Sequence, residues 1–307
     1  MSVGVDLTTY VAGLKLKHPV MNSSGILGST PEHVERLFKY GVSAVVSKTM
    51  TKGFRVGHEP PIIIALEGEG LLNSVGLANP GISGIPPIVR KAKELNIPVI
   101  VSVGGSEVQE FIDVASVAEE SGADAVELNL SCPHTKGYGI DIGSDPNNVY
   151  EVVKAVSSTI KIPVLAKLGL SDNVVKSAGK ALEGGAKALT LINTVKSVAI
   201  DVFSCKPVFK NVYGGLSGTP IHPIAVRVVY DVYKELKPEI VGVGGVSDWK
   251  TAAEMILAGS SAVQIGTAFI LKDSRKLVHD IVEGLKEWLI KLGLKNICEA
   301  IGLTHKA

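Results

Sequence analysis

Ser121-Gly122-Ala123-Asp124-Ala125-Val126-Glu127-Leu128-Asn129-Leu130 joins the end of one element to the start of the next. Upstream, Val108, Phe111, Ile112, Ala115 and Ala118 recur at spacings of three and four, which predicts an amphipathic helix. A glycine then stops the helix, because glycine tolerates the left-handed backbone that follows a last turn. The apolar run after it is too short for a helix and reads as a buried strand. Tyr40-Gly41-Val42-Ser43-Ala44, Gly184-Gly185-Ala186-Lys187-Ala188 and Ala258-Gly259-Ser260-Ser261-Ala262 repeat the phrase. One device, helix to glycine to strand, is used again and again.

Working outward, strands are expected at Pro19–Met21, Ala44–Val46, Pro98–Val103, Ala125–Leu130, Pro163–Leu168, Ala188–Ile192, Ile240–Val243 and Ala262–Ile265. Helical patterns fill the intervals, among them Glu107–Ser121, Pro146–Thr159, Asp172–Glu183 and Asp248–Ala258. Strands alternating with helices imply parallel βαβ units, and continuous apolar strands imply a sheet covered on both faces. About eight such units predict an α/β chain folded as a (β/α)8 TIM barrel, a single domain over residues 1–307. An open doubly wound sheet is the rival. Its GxGxxG fingerprint is absent, since Gly242-Val243-Gly244-Gly245 runs into Val246 and Ser247. Long connections, 49–97 between the second and third strands and 194–218 after the sixth, are expected to be lids or binding loops.

Composition removes other classes. With 31 Lys and Arg against 30 Asp and Glu, and 5% aromatics, the chain carries neither the charge nor the stacking surface of a non-specific nucleic-acid binder. Cys132, Cys205 and Cys298 lie far apart with no CxxC pair, which excludes a zinc ribbon, an iron–sulfur ligand set and a disulfide framework. Cys205 and Cys298 read as inert buried side chains. No secretory pattern stands at the start and no apolar run reaches the ~18 residues of a membrane span, so a cytoplasmic protein without membrane attachment is expected. The lysine-rich tail, 289–307, reads as a solvated helix and end.

In a barrel, chemistry gathers at the C-terminal ends of the strands. Those ends are Ser24, Lys48, Ser102, Asn129, Lys167, Asn193, Gly244-Gly245 and Gly266-Thr267. Polar residues capping buried strands need hydrogen-bond partners, and a ligand can supply them. The late glycine pairs stand where barrels present backbone N–H groups to phosphate, which suggests a phosphorylated cofactor or substrate. Taken singly, Lys48 and Lys167 would more often be salt-bridged or solvated lysines. No His or carboxylate stands at metal-ligand spacing near His134, so no metal is expected.

Glu127-Leu128-Asn129-Leu130-Ser131-Cys132-Pro133, Asn73-Ser74-Val75-Gly76-Leu77-Ala78-Asn79-Pro80 and Gly214-Gly215-Leu216-Ser217-Gly218 together resemble dihydroorotate dehydrogenases. The resemblance runs from Ala12-Gly13-Leu14-Lys15-Leu16-Lys17 to Val263-Gln264-Ile265-Gly266-Thr267, and the stretch Gly139–Pro146 is most similar to class 1B catalytic subunits. It implies FMN-dependent oxidation of (S)-dihydroorotate to orotate in pyrimidine biosynthesis. It further implies a dimer of catalytic subunits and a separate electron-transfer subunit carrying FAD and a [2Fe–2S] cluster, as a heterotetramer. Fumarate or a quinone remains an alternative acceptor.

By the same resemblance Cys132 is the base and Lys48 touches both substrate and flavin. Asn73, Ser74, Val75, Gly76 and Leu77 form the substrate-carboxylate loop, and Asn129, Asn193 and Thr194 ring the pyrimidine. Ser24, Thr49, Ser102, Asn129, Lys167, Ile192, Gly218, Gly244, Gly245, Gly266 and Thr267 are implied flavin contacts. A thiol base with a pKa near ~8.5 implies a rate that climbs toward alkaline pH.

Two positions depart from the family pattern: His134 and Ser102 stand where asparagines are usual. Ser131-Cys132-Pro133-His134 also resembles dihydropyrimidine dehydrogenase, a uracil and thymine reductase that lacks the Asn73–Asn79 loop. A dihydrouridine synthase is disfavoured by the neutral charge. A non-catalytic barrel scaffold would not need the polar rim with Cys132.

Overall fold

The computed structural model describes residues 4–131, 143 and 145–306. Eight parallel strands form one sheet: β1 (Val20–Asn22), β2 (Val45–Val46), β3 (Val99–Val103), β4 (Ala125–Asn129), β5 (Val164–Leu168), β6 (Ala188–Leu191), β7 (Ile240–Val243) and β8 (Ala262–Ile265). Each lies within a residue or two of the run expected from the sequence. The hydrogen-bonded order is β1-β8-β7-β6-β5-β4-β3-β2, which curls the sheet into a nearly closed (β/α)8 barrel. Between β1 and β2 side chains close the seam. The amide of Asn22 donates to Val46 O at 2.7 Å and accepts from Val46 N at 2.9 Å.

Helices α1 (Pro31–Lys39), α2 (Ile85–Glu94), α3 (Val108–Glu120), α4 (Pro146–Thr159), α5 (Val174–Glu183), α6 (His222–Leu236), α7 (Trp249–Ala258), α8 (Ala268–Leu271) and α9 (Ser274–Leu292) complete the alternation. Asp145 caps α4 by accepting from Asn147 N, and Asp248 and Thr251 form a capping box on α7. Gly41, Gly122, Gly185 and Gly259 all take positive φ between helix and strand, +87°, +89°, +109° and +127°. The repeated phrase therefore terminates helices as its glycine requires.

Alternate strand residues face outward to the helices and inward to the barrel axis. Outward Val126, Leu128, Val164 and Ala166 join the main core. Inward Ala125, Leu165, Ala188, Val241 and Ala262 form an apolar layer with Val11 and Leu16 of an N-terminal hairpin, Thr9–Val11 with Leu14–Leu16. That hairpin closes the barrel floor: Thr9 donates to Ser261 O, just before β8, and Ala12 N donates to Glu239, just before β7. Above the apolar layer the inward positions turn polar, with Ser102, Glu127, Lys167, Thr190 and Gln264 all buried.

The two long connections do more than form loops. Ile63–Leu66 and Gly70–Asn73 from the first pair with Tyr213–Gly218 and Val195–Val198 from the second in a four-stranded antiparallel sheet. Gly215 lies opposite Asn73 in this register.

Two sequence expectations fail. Cys205 and Cys298 are exposed, not buried. Cys205 occupies a positive-φ turn (+54°) beyond the barrel, where no core reaches it, and Cys298 lies in a short 3-10 turn near the C-terminus. The tail is not simply solvated. Leu289, Ile297 and Ala300 are fully buried, and Ile297 N and Asp6 O bond at 2.9 Å, tying the two ends of the chain together. Among the described residues, no helix is long and apolar enough to cross a membrane.

Candidate active site

The C-terminal ends of the strands open into a cleft of about 920 Å³, its open mouth included. That is within the usual size for a ligand pocket. The strand ends supply Ser24, Lys48, Thr49, Asn129, Asn193, Thr194, Gly266 and Thr267, and the cap sheet with its following loop supplies Asn73, Val75, Gly76 and Leu77.

The polar side chains at this mouth hold one another in place. Thr49 Oγ1 lies 3.0 Å from Ser102 Oγ and accepts from Asn129 Nδ2 at 3.1 Å. Asn193 Nδ2 donates to Ser131 Oγ at 3.0 Å and Ser131 O at 3.2 Å. Thr194 N donates to Asn193 Oδ1 at 2.8 Å, which fixes the orientation of that amide. On the opposite wall, Asn73 Nδ2 donates to Gly215 O at 3.1 Å, so the cap sheet orients it. Lys48 Nζ reaches Gly25 O at 3.4 Å from the end of β2. Lys167, nearly fully buried, donates to Ser24 Oγ at 3.0 Å.

A smaller cleft adjoins the first and shares Gly266 and Thr267 with it; Gly218, Gly245, Ser247, Glu69 and Lys272 are among its other lining residues. Gly218 and Gly245 have φ of +93° and +72°, and a Cβ on Gly245 would stand 2.8 Å from Gly218 O. A side chain there would clash as well as strain the backbone, so main chain forms much of this wall. Backbone-lined recesses at the ends of the last two strands suit an anion; on the rim Lys272 is paired with Glu69 at 3.4 Å and donates to Ser247 O at 3.2 Å.

Several expected residues are placed differently from a lining role. Ser74 is buried and donates to Asn211 Oδ1 at 2.8 Å, bracing the loop against the second connection. Ser102 reaches the cleft through Thr49, and Ile192 is buried behind it. Gly244 O pairs with His222 Nδ1 at 2.8 Å. Cys132, His134 and most of the stretch 139–145 lie outside the described residues.

Ser23, Ile26, Ile63, Leu71, Ser217 and Ile270 also line the cleft, and the sequence reading did not single them out. Ser217 could have been found, because it stands within the quoted Gly214–Gly218 motif; its Oγ accepts from Thr267 Oγ1 at 2.8 Å. The apolar four carry no chemical signal; Ile63 and Leu71 come from the antiparallel sheet, Ile26 from the loop after β1 and Ile270 from α8.

A nearly closed barrel with a preorganised amide and lysine mouth, beside a largely backbone-walled recess, is the layout of a (β/α)8-barrel enzyme. The sequence matches the family described as dihydroorotate dehydrogenase over residues 6–289. It is 46% identical to a putative dihydroorotate dehydrogenase A (fumarate) of Aeropyrum pernix, over 98% of each chain. It is 46% identical to the dihydroorotate dehydrogenase B (NAD(+)) catalytic subunit of Thermoplasma acidophilum, over 97% of this chain and 99% of that one. The corresponding subunit of Pyrococcus abyssi is 43% identical over 98% and 99%. The chain belongs to the dihydroorotate dehydrogenase family and is an oxidoreductase similar to its class 1B catalytic subunits.

Proposed function

We propose that this chain oxidises (S)-dihydroorotate to orotate, with FMN as its resident cofactor. The observation that carries the reading is the convergence of Asn73, Asn129, Asn193 and Lys48 on one cleft beside a glycine-walled anion recess. The recess fits a phosphate, and the cleft fits a flat ring system bordered by amides. When bound, FMN supplies the acceptor for the hydride leaving C6 of the substrate.

The remaining work falls to the chain. Asn129, Asn193 and Thr194 read the donors and acceptors of the pyrimidine edge, their geometry set by the bonds among them. Asn73 and the loop through Leu77 receive the substrate carboxylate; Gly76 and Leu77 take φ of +71° and +57°, a backbone turn able to aim consecutive N–H groups at one anion. Lys48 contributes positive charge to substrate and flavin. Cys132, as thiolate, takes the proton from C5, forming S–H as the C5–C6 double bond forms. It follows directly on Ser131, whose backbone and hydroxyl are held by Asn193.

The relatives' names divide over the acceptor, fumarate in one and NAD(+) in others, and the NAD(+) names describe a catalytic subunit. The catalytic-subunit names favour the second route, in which a partner and not this chain would carry the cluster and bind NAD(+). Electrons would then leave through a partner subunit carrying FAD and [2Fe–2S], with two catalytic subunits at the centre of the assembly.

Anaerobic addition of L-dihydroorotate to FMN-loaded protein tests the reading. Bleaching of the visible flavin band with release of orotate is the expected result. Flavin that stays oxidised with dihydroorotate, yet is reoxidised by uracil after chemical reduction, would overturn the substrate assignment. A chain that takes up no FMN would overturn the cofactor.

A further inference from the structure

Glu127 is a buried ionisable group to which the chemistry above gives no task. Its side chain is fully buried and faces the barrel axis from β4, one inward position below Asn129. Oε2 is well satisfied: it accepts from Thr190 Oγ1 at 2.9 Å and from Gln264 Nε2 at 2.8 Å. Oε1 has no hydrogen-bond donor among the described residues, and lies 3.8 Å from Lys167 Nζ, itself only 4% exposed. Lys167 in turn donates to Ser24, which lines the cleft. A line of polar groups thus runs from β6 and β8, through Glu127, to the lysine that holds Ser24 in the cleft wall.

Packing does not require a carboxylate here. A glutamine oxygen would accept from Thr190 and Gln264 as the carboxylate does. What only a carboxylate gives is charge opposite Lys167. A buried ammonium without an anion is strongly disfavoured, so the pair must be considered together.

Resting on the FMN reading, we propose that Glu127 is the fixed counter-ion of Lys167, a positioning residue that sets how much positive charge the barrel presents to the flavin and so tunes its reduction potential. Thr190 and Gln264 clamp Oε2 and thereby aim Oε1 at the ammonium. Lys167 favours the reduced, more negative flavin; Glu127 tempers that preference and keeps the cofactor able to pass electrons on.

The test is the two-electron midpoint potential of FMN-loaded wild type, Glu127→Gln, Lys167→Met and the double variant, by equilibration with a reference dye at pH 7. Glu127→Gln should raise the midpoint by about 30 mV, equivalent to about tenfold stronger preference for reduced over oxidised flavin. Lys167→Met should lower it, and in that background Glu127→Gln should move it far less. A midpoint that Glu127→Gln leaves unmoved, or moves equally with and without Lys167, would overturn the proposal. Should Glu127→Gln fail to fold, the double variant, which strands no charge, should recover folding and FMN binding; failure to do so also overturns it. Wild type that binds no FMN would sink the flavin reading itself, a distinct result.

Discussion

The side-chain amide of Asn22 stands in for a stretch of strand, bonding both main-chain groups of Val46 at 2.7 and 2.9 Å across the seam between β1 and β2. The other adjacent strand pairs of the barrel share backbone ladders. An amide presents the same donor and acceptor as a peptide group, so one side chain completes the ring where the strands have parted.

Replacing Asn22 by alanine leaves a buried N–H and a buried C=O at Val46 without partners. We expect a loss of about 2–4 kcal/mol in chemical denaturation, with faster amide exchange at Val46. Asn22→Asp keeps the acceptor and loses the donor, and should destabilise as well.

Acidification should weaken the fold through His18. Burial holds its pKa down to about 4 against an ordinary 6.5. The ring sits between Gly41 O, 2.9 Å from Nε2, and Val20 N–H, which donates to Nδ1, so the neutral Nε2–H tautomer fits both. Below pH 6.5 the unfolded chain takes up a proton that the folded chain refuses. Stability from this group is therefore full above about 6.5 and falls as pH drops toward 4, by about 3 kcal/mol in total. Denaturation midpoints across this window should lose that slope in His18→Asn.

The rate of flavin bleaching by dihydroorotate should climb with pH toward the ordinary thiol pKa of ~8.5. Cys132→Ser should slow it by roughly 10²–10⁴-fold while FMN content stays unchanged. Stopped-flow absorbance reads both. A flat pH profile in wild type would remove the thiol from the proton transfer.

Gly245→Ala should deplete FMN without unfolding the barrel. Its positive φ and the 2.8 Å approach to Gly218 O leave no space for a methyl group in the wall of the anion recess. Flavin-to-protein absorbance ratios after purification, and reconstitution with excess FMN, measure the effect.

Asn193→Ala should lower kcat/KM for dihydroorotate by roughly 10²-fold or more, because it removes a donor to Ser131 as well as a substrate contact. Retained FMN binding would separate this loss from a collapse of the site.

The barrel was legible because its signals are local: glycine after a helix, then a short apolar run, as at Gly122 and Ala125–Leu130. The mouth was legible once strand ends were aligned, since Asn129, Lys48 and Thr267 each follow a buried run. The cap sheet was not. Tyr213-Gly214-Gly215-Leu216-Ser217-Gly218 is too rich in glycine to announce a strand, and its partners at Gly70–Asn73 lie far away in sequence. Glu127 was passed over for a related reason. Amid Val126 and Leu128 it looked like part of a strand motif, and its partners Thr190, Gln264 and Lys167 come from three other strands.

The pairing of residue 73 with residue 215 also orders events in time. A ribosome that has released the first half of this chain has made Lys48, Asn73 and Asn129, yet the wall that steadies Asn73 has still to be synthesised. The cleft can be completed only after residue 270 has emerged, so the earliest folding intermediates should be unable to hold the pyrimidine, and acquisition of substrate binding would serve as a clock for closure of the whole ring.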